Sequence, residues 1–374
     1  MLWLVVGTAA VVSALGRFDG FEAIQSLLTH GGETAATQPA KLAPGCWDET
    51  AGNDLLTAVS KDRPFRRGAG VLVLGNSQQY TVSVALGQKL DSSRDVHVAI
   101  DLLAARLAAD GRAYGFYDGA APNQTMPEAL WQALYWYEVA HVSPKFLVVQ
   151  ASFDTFRKQG IRPGYQTLLE DAAFGVALDR FEAEHEHDAF VSAWSEAKSD
   201  ALARRRELAE SGRFSVEGAL RKAMSNVRLF RNRESYKATF LNDIYQLRVK
   251  VLHVSPTTRR HVTGAAFEEN WSALVALVHL ARSHGSRVLI YNAPVNPAVS
   301  MFYESEYDAY LQNLAALART DADGFVDLAH AVAAKDWGFW IDGPDPIHFN
   351  EQGHLAMADQ LYAAFGPALL STSR

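Results

Sequence analysis

Short apolar runs alternate with amphipathic stretches over two parts of the chain. The predicted strands are apolar runs bounded by Gly, Pro or polar residues, and they lie at 71–75, 112–119, 145–152, 287–294 and 324–328. The predicted helices carry apolar positions at helical spacing, and they lie at 96–109, 126–140, 265–284, 305–319 and 350–365. This alternation favours an α/β fold with a parallel sheet covered by helices.

The strand pattern stops between Thr155 and Thr263, where the sequence becomes charged and helical. Amphipathic stripes in such a stretch usually mark packing faces. We therefore predict a connector at 17–66, an α/β domain formed by 67–154 and 264–374, and a helical insertion at 155–263.

The first sixteen residues, MLWLVVGTAAVVSALG, carry no charge before Arg17. A membrane-spanning helix needs about 20 apolar residues, with a lower limit of about 17, so this run lies at the limit. A cleaved signal usually begins with a basic region, which is missing here. We expect residues 1–16 to be a membrane anchor or signal; a buried N-terminal helix or strand is the alternative.

Composition narrows the function classes. The chain has 374 residues, of which 48% are hydrophobic, and a net charge of -7, so nucleic acid is not expected as a partner. The single cysteine, Cys46, excludes intrachain disulfides and Cys-rich metal sites. The run EHEHD at 184–188 does not predict a metal site, because residues two apart on a helix do not face each other.

The first candidate for chemistry is VLVLGNSQQ, in which an apolar strand runs into Gly75-Asn76-Ser77. Ligands bind at the carboxyl ends of the strands in open parallel sheets. A helix beginning after Ser77 would direct backbone N–H groups toward a developing anion. The alternative is that Ser77 is only a helix N-cap. The segment is not a G-x-S-x-G elbow, since Gln79 replaces the second Gly.

The second candidate is IDGPDPIHFNEQGH, which places Asp345 and His348 three residues apart in a predicted loop before the last helix. A carboxylate on one imidazole nitrogen leaves the other free to take a proton from a serine hydroxyl. The alternatives are a capping Asp with an exposed His, or Asp342 as the partner of His348. We expect His354 to be a capping or surface residue.

Together the two segments resemble the first and last sequence blocks of the SGNH (GDSL-like) hydrolase superfamily. The resemblance implies a three-layer α/β/α flavodoxin-like sheet. No cofactor and no metal are expected. It further implies that Ser77 is the nucleophile, His348 the general base and then acid, and Asp345 the orienting carboxylate. Asn76 departs from the usual Asp of the first block.

The resemblance also implies an oxyanion hole, made by the backbone N–H groups of Ser77 and Gly119. An ordinary turn at the end of a strand is the alternative for Gly119. The third block departs from the family pattern, because Phe153 stands where an Asn is usual. The side chains considered as substitutes are Asn123, Gln150 and Ser152.

Within the superfamily, residues 71–154 and 265–366 are most similar to the membrane-tethered branch that includes the D-alanyl-lipoteichoic acid transfer and alginate O-acetylation proteins. The uncharged N-terminus, the altered third block, the insertion and the string YNAPVNP carry this similarity. It implies a membrane-anchored, extracytoplasmic esterase or O-acyltransferase acting on acyl esters of an envelope glycan or related carbohydrate.

The sequence also allows a second hypothesis for the function and two explanations for a pair of asparagines. Phe153 and the insertion also allow a non-catalytic envelope assembly or glycan-binding protein that retains the scaffold. Asn292 and Asn296 lie at the expected ligand edge of the sheet, where either substrate contact or turn chemistry would explain them.

Overall fold

The computed structural model describes residues 70–83, 98–112, 114–121, 123–211, 259–299, 301–340 and 343–371. The expected anchor at 1–16, the connector at 17–66 and the alternative acid Asp342 lie outside these residues. Within them, none of the helices combines the length and the apolar character needed to cross a membrane.

Five parallel strands form the central sheet in the order β2-β1-β3-β4-β5. The strands are β1 (Gly70–Leu74), β2 (Gly115–Asp118), β3 (Phe146–Ala151), β4 (Arg287–Asn292) and β5 (Gly324–Asp327). This 2-1-3-4-5 order is the flavodoxin-like arrangement, in which the chain reverses direction across the sheet beside the first strand. The predicted fold class is therefore confirmed.

Helices cover both faces of the sheet. They are α1 (Ala99–Ala109), α2 (Met126–Leu134, continued by a π-helical turn at Tyr135–Val139), α3 (Pro163–Gln166), α4 (Ala172–Glu184), α5 (Ala189–Ser211), α6 (Ala265–Ser283), α7 (Glu304–Asp321) and α8 (Glu351–Leu370). One apolar cluster joins the sheet to α2, α6 and α7, and the other joins it to α1 and α8. The result is the predicted three-layer α/β/α architecture.

β1 shows why the predicted strands are continuous apolar runs. Leu72 and Leu74 enter the cluster on the α2 face, whereas Val71 and Val73 enter the cluster on the α1 face. All four are fully buried. A strand with both faces covered needs apolar side chains at every position.

The described part of the predicted insertion packs on the α2 face of the sheet. Trp131 of α2 makes edge-on ring contacts with Phe174 of α4 and Trp194 of α5, at centroid distances of 5.6 and 5.9 Å. The described residues within 70–205 and 259–371 belong to one compact unit. The second unit, 1–36 and 206–256, lies almost entirely outside the described residues. The domain boundaries at 155 and 263 stay a prediction.

The segment before α8 is more regular than the predicted loop. β6 (Trp337–Trp340) and β7 (Gly343–Phe349) form a two-stranded antiparallel ladder with an irregular register. Pro344 and Pro346 have no N–H to donate, and such residues are tolerated only at the edges of sheets or at irregular pairings. Asp345 and His348 both belong to β7, so they lie on a short strand and not in the predicted loop.

His354 is not a surface residue, since its side chain is completely buried in α8. Its Nδ1 accepts the N–H of Ala99 at 3.2 Å, and its Nε2 donates to the carbonyl of Thr81 at 3.1 Å. The ring thus satisfies the first backbone N–H of α1 and connects α8 to the segment after β1. Burial lowers the pKa of His354 from 6.5 to about 4, with a smaller contribution in the same direction from His348.

We expect this buried imidazole to make the fold acid-sensitive. Below pH 6.5 the unfolded chain protonates His354, whereas the folded chain keeps it neutral down to about pH 4. The free energy of unfolding should therefore fall as the pH drops across this window, by on the order of 3 kcal/mol. Urea unfolding at several pH values measures this loss. The control is His354→Gln, which keeps a donor and an acceptor but does not titrate. An equally steep pH dependence in the control would contradict the assignment.

Candidate active site

Ser77 lies at the carboxyl end of β1, in a 3₁₀ turn that spans Ser77–Gln79. Asn76 is the N-cap of this turn, because its side-chain oxygen accepts the N–H of Gln78 at 3.0 Å. The alternative reading of Ser77 as the N-cap is therefore wrong. Since Asn76 does the capping, the hydroxyl of Ser77 is free for other partners.

Gly75 is required by close packing immediately before this turn. A Cβ atom at Gly75 would lie 2.3 Å from Gln79 Nε2 and 2.4 Å from Gln150 Oε1, both far inside normal contact distance. Only glycine lets these two buried side chains approach the backbone beside Ser77. The flanking glutamines thus specify the first residue of the Gly-Asn-Ser segment.

Ser77, His348 and Asp345 form a continuous hydrogen-bonded series. Ser77 Oγ lies 2.9 Å from His348 Nε2, and His348 Nδ1 lies 3.1 Å from Asp345 Oδ2. A carboxylate on Nδ1 fixes the proton on that nitrogen, so Nε2 is left to accept the serine proton. The structure brings together the three residues that the sequence singled out, although Ser77 and His348 are 271 positions apart.

Asp345 is itself held in place from two sides. Its Oδ1 accepts the backbone N–H groups of Ile347 and His348 at 2.8 and 3.0 Å, and its side chain is 4% exposed. Its backbone carbonyl accepts the side-chain amide of Asn296 at 2.8 Å. Asn296 also accepts the N–H of Ala298, so it has both the expected turn role and a direct contact with the acid segment.

The two expected oxyanion donors differ in availability. Among the residues that the structure describes, none accepts the backbone N–H of Ser77. The N–H of Gly119, by contrast, donates to the carbonyl of Val73 at 2.7 Å and is occupied in this conformation. A Cβ at Gly119 would lie 2.7 Å from Gln132 Nε2 and 2.9 Å from Leu74 Cδ2. Close packing at the end of the strand explains this glycine.

Phe153 stands in place of the usual Asn because it belongs to the core. Its side chain is 2% exposed and contacts three aromatic rings, with centroid distances of 4.9 Å to Phe302, 5.4 Å to Tyr307 and 4.8 Å to Tyr310. Asn292, also buried, donates to Tyr307 Oη at 2.7 Å and to Asp327 Oδ1 at 2.6 Å. These contacts give Asn292 a structural role next to the same cluster.

The three side chains considered as substitute donors are placed differently. Gln150 is buried and uses both ends of its amide, accepting from Asn76 N and donating to Gln78 Oε1. Asn123 is exposed and has a positive φ of 55°, with its Oδ1 accepting from Lys158 Nζ at 2.6 Å. No described residue bonds to the amide nitrogen of Asn123 or to the hydroxyl of Ser152, so both stay available.

Two further glutamines, to which sequence reasoning assigns no role, belong to or contact the segment around Ser77. Gln124 Oε1 accepts the N–H of Gly75 at 3.1 Å, and its amide nitrogen donates to Gln132 and to Tyr165. Gln78 Nε2 donates to the carbonyl of Ile347, the residue before His348, at 2.8 Å. The one sequence signal for this arrangement is the density of amide side chains around the Gly-Asn-Ser turn.

The acidic and histidine-rich run at 184–188 forms local contacts. His185 Nδ1 lies 2.6 Å from Asp188 Oδ2, and its ring stacks on Phe181 at 4.3 Å. Across the described ranges, no three or more His, Cys, Asp or Glu side chains are grouped so as to hold a metal ion.

Comparisons with known proteins find similar solved structures but no similar sequence. No family model matches the chain, and no curated protein matches its sequence. The similar solved structures include TesA, at 14% identity over 80% of this chain and 99% of that one, with a TM-score of 0.39. The psychrotrophic esterase EstA from Pseudoalteromonas sp. matches at 9% identity over 81% of this chain and 100% of that one, with a TM-score of 0.38. A GDSL-like lipase from Bacteroides thetaiotaomicron matches at 9% identity over 86% and 100%, with a TM-score of 0.36. Because these identities and TM-scores are low, the similarities assign no function to this chain.

The packing at Gly75 gives a direct test of the nucleophile turn. Gly75→Ala should lower the free energy of unfolding by about 1–3 kcal/mol, because the new methyl group must displace Gln79 and Gln150. Gly175→Ala is the matched control, since a Cβ there meets nothing within 4 Å inside α4 and should stabilise by about 0.5–1 kcal/mol. Chemical denaturation measures both. Equal stability of the two variants would contradict the close packing at Gly75.

Proposed function

We propose that this protein is a serine-dependent esterase or O-acyltransferase that works through an acyl-Ser77 intermediate. The observation that carries the proposal is the series Ser77–His348–Asp345, with contacts of 2.9 and 3.1 Å. A serine, a base and an orienting carboxylate in hydrogen-bond reach are the requirements for an activated nucleophile. The series lies at the carboxyl edge of a parallel sheet, where substrates of such folds bind.

In the first half-reaction, Ser77 Oγ attacks the ester carbonyl while His348 Nε2 takes the hydroxyl proton. The carbonyl oxygen becomes an oxyanion, and the imidazolium is stabilised by Asp345. Collapse of the tetrahedral intermediate breaks the bond to the alcohol, which leaves with the proton from His348. The product of this half-reaction is the acyl ester of Ser77.

In the second half-reaction, His348 takes a proton from water or from a sugar hydroxyl as that oxygen attacks the acyl group. Collapse returns the proton to Ser77 Oγ and releases a carboxylic acid or a new ester. Hydrolysis and transfer therefore use the same residues and differ only in the acceptor.

The oxyanion needs donors that point to where the charge develops. We assign the backbone N–H of Ser77 to this role because it has no other partner in the described part of the chain. The second donor in this proposal is the side chain of either Asn123 or Ser152, whose donor groups have no described partner. Gly119 is less suitable, because its N–H is bonded to Val73.

For the substrate we propose acyl esters of an envelope glycan or a related carbohydrate, handled by an extracytoplasmic protein tethered through residues 1–16. This part rests on the sequence resemblance to the membrane-tethered branch and on the uncharged N-terminus. A non-catalytic glycan-binding role is the competing hypothesis. The hydrogen-bonded Ser77 and His348 favour the enzyme, because binding alone does not require that contact.

We expect a fluorophosphonate probe to label the wild-type protein at Ser77 with loss of fluoride. Ser77→Ala should abolish labelling, and His348→Gln should slow it by about 10²- to 10⁴-fold, because the general base is lost. Gel fluorescence and mass spectrometry of the labelled peptide measure the outcome.

The controls for labelling are Ser283→Ala and His279→Gln, which change a serine and a histidine of α6 away from the site. Both should label at the wild-type rate. A folded wild type that does not react, or that reacts no faster than Ser77→Ala, would overturn the enzyme assignment. Retained glycan binding in Ser77→Ala would then support the binding hypothesis.

A second experiment separates transfer from hydrolysis. Purified protein is incubated with an activated acetyl ester, with and without soluble envelope polysaccharides, and ester on the polysaccharide is measured by mass spectrometry. We expect Ser77-dependent ester formation on one of the polysaccharides. Release of acetate at the same rate whether or not polysaccharide is present, with no new glycan ester, would identify a hydrolase and contradict transfer.

A further inference from the structure

A chain of buried amides connects the Ser77 turn with the segment that carries His348. Gln150 Oε1 accepts the N–H of Asn76 at 2.8 Å, and Gln150 Nε2 donates to Gln78 Oε1 at 2.9 Å. Gln78 Nε2 in turn donates to the carbonyls of Ile347, at 2.8 Å, and Pro294, at 3.0 Å. One side chain thereby links three segments that follow β1, precede α8 and follow β4.

The amide of Gln78 is fully used by these contacts. Its oxygen accepts one hydrogen bond, its nitrogen donates two, and the residue is 3% exposed. A buried amide with every polar atom paired has one favourable orientation, because any rotation leaves a desolvated donor or acceptor unpaired. Gln78 consequently has no N–H left to offer a substrate oxyanion.

The hydrogen bond from Gln78 to Ile347 matters because of where these two residues stand in the sequence. Gln78 follows Ser77 directly, and Ile347 directly precedes His348. The 2.8 Å bond from Gln78 to Ile347 therefore joins the neighbours of the two residues that exchange a proton. Such a bond restrains the distance between Ser77 Oγ and His348 Nε2 more directly than packing of the distant helices does.

We infer that Gln78 is a positioning residue that holds His348 at hydrogen-bond distance from Ser77, and that Gln150 fixes the amide of Gln78 in the orientation this requires. The inference deepens the proposed function and rests on it for its kinetic consequences. The distance between Ser77 Oγ and His348 Nε2 can be measured in the free protein, without a substrate.

The neighbouring Gln79 shows that burial of a glutamine beside Ser77 is not enough for this role. Its amide nitrogen donates to the carbonyl of Leu74 at 3.2 Å and to Tyr291 Oη at 2.9 Å. These partners lie on β1 and β4. Neither partner belongs to the segment that carries His348, so Gln79 supports the edge of the sheet.

The test is Gln78→Met, which keeps the length of the side chain and removes both N–H donors together with the oxygen that accepts from Gln150. We expect kcat for a small activated ester, and the rate of fluorophosphonate labelling, to fall about 10²-fold, as expected for misplaced reacting groups. KM should change little, because contacts with the ester are untouched. A crystal structure of the variant should show the distance from Ser77 Oγ to His348 Nε2 lengthened beyond hydrogen-bond reach.

Gln166→Met is the matched control for loss of a buried amide. Gln166 is 8% exposed and its Nε2 donates to the carbonyl of Ile161 at 3.0 Å, outside the catalytic segments. This variant should lower the melting temperature, with kcat and the labelling rate unchanged, because the hydrogen bond that it removes does not involve the segments of Ser77 or His348. A fall in kcat only in Gln78→Met then separates positioning from general destabilisation.

The inference is overturned if folded Gln78→Met labels at the wild-type rate, or if its crystal structure retains the Ser77–His348 hydrogen bond. If the methionine variant does not fold, the isosteric Gln78→Glu variant is measured in the same way. Failure of both to fold also overturns a specific positioning role. If the wild type is not labelled, the proposed function fails, and the crystallographic distance alone decides the role of Gln78.

Discussion

The site depends on one constraint: backbone N–H groups buried at the carboxyl end of β1 must find hydrogen-bond acceptors. Beyond the last residue of the strand the sheet ladder no longer supplies them, and leaving them unpaired would cost free energy. Gln124 accepts the N–H of Gly75, Gln150 accepts that of Asn76, and Asn76 accepts that of Gln78. Only the N–H of Ser77 is left without a described protein acceptor, next to the hydroxyl proposed to react.

The amide side chains around Ser77 also hold the segment that carries Asp345 and His348 close to the serine. A buried amide side chain that bonds one backbone group has a second polar atom that also needs a hydrogen-bond partner. At a buried sheet edge, that partner belongs to a neighbouring segment of the chain. Gln78 pairs with Ile347, and Asn296 pairs with Asp345. Stability and catalytic geometry are thus coupled. The hydrogen bonds that satisfy these buried polar groups also set the distance from Ser77 to His348.

The fold was largely predictable because its strands are buried on both faces. Continuous apolar runs separated by amphipathic helices predict a covered parallel sheet, and the observed strand bounds differ from the predicted ones by at most a few residues. Less predictable were features set by contacts distant in sequence. Phe153 is explained by rings at 302–310, the N–H of Gly119 is taken by Val73, and His354 is buried against α1 and the segment after β1.

The sequence by itself determined the α/β class and singled out Ser77, Asp345 and His348, because periodicity and local spacing are properties of short segments. The tertiary structure decided which polar atoms are available for chemistry. It paired Gln150 and the N–H of Gly119 with other groups, and it left the N–H of Ser77 and the donors of Asn123 and Ser152 without described partners. Hydrogen-bond availability depends on how distant segments pack, so it follows from the folded chain and not from local pattern.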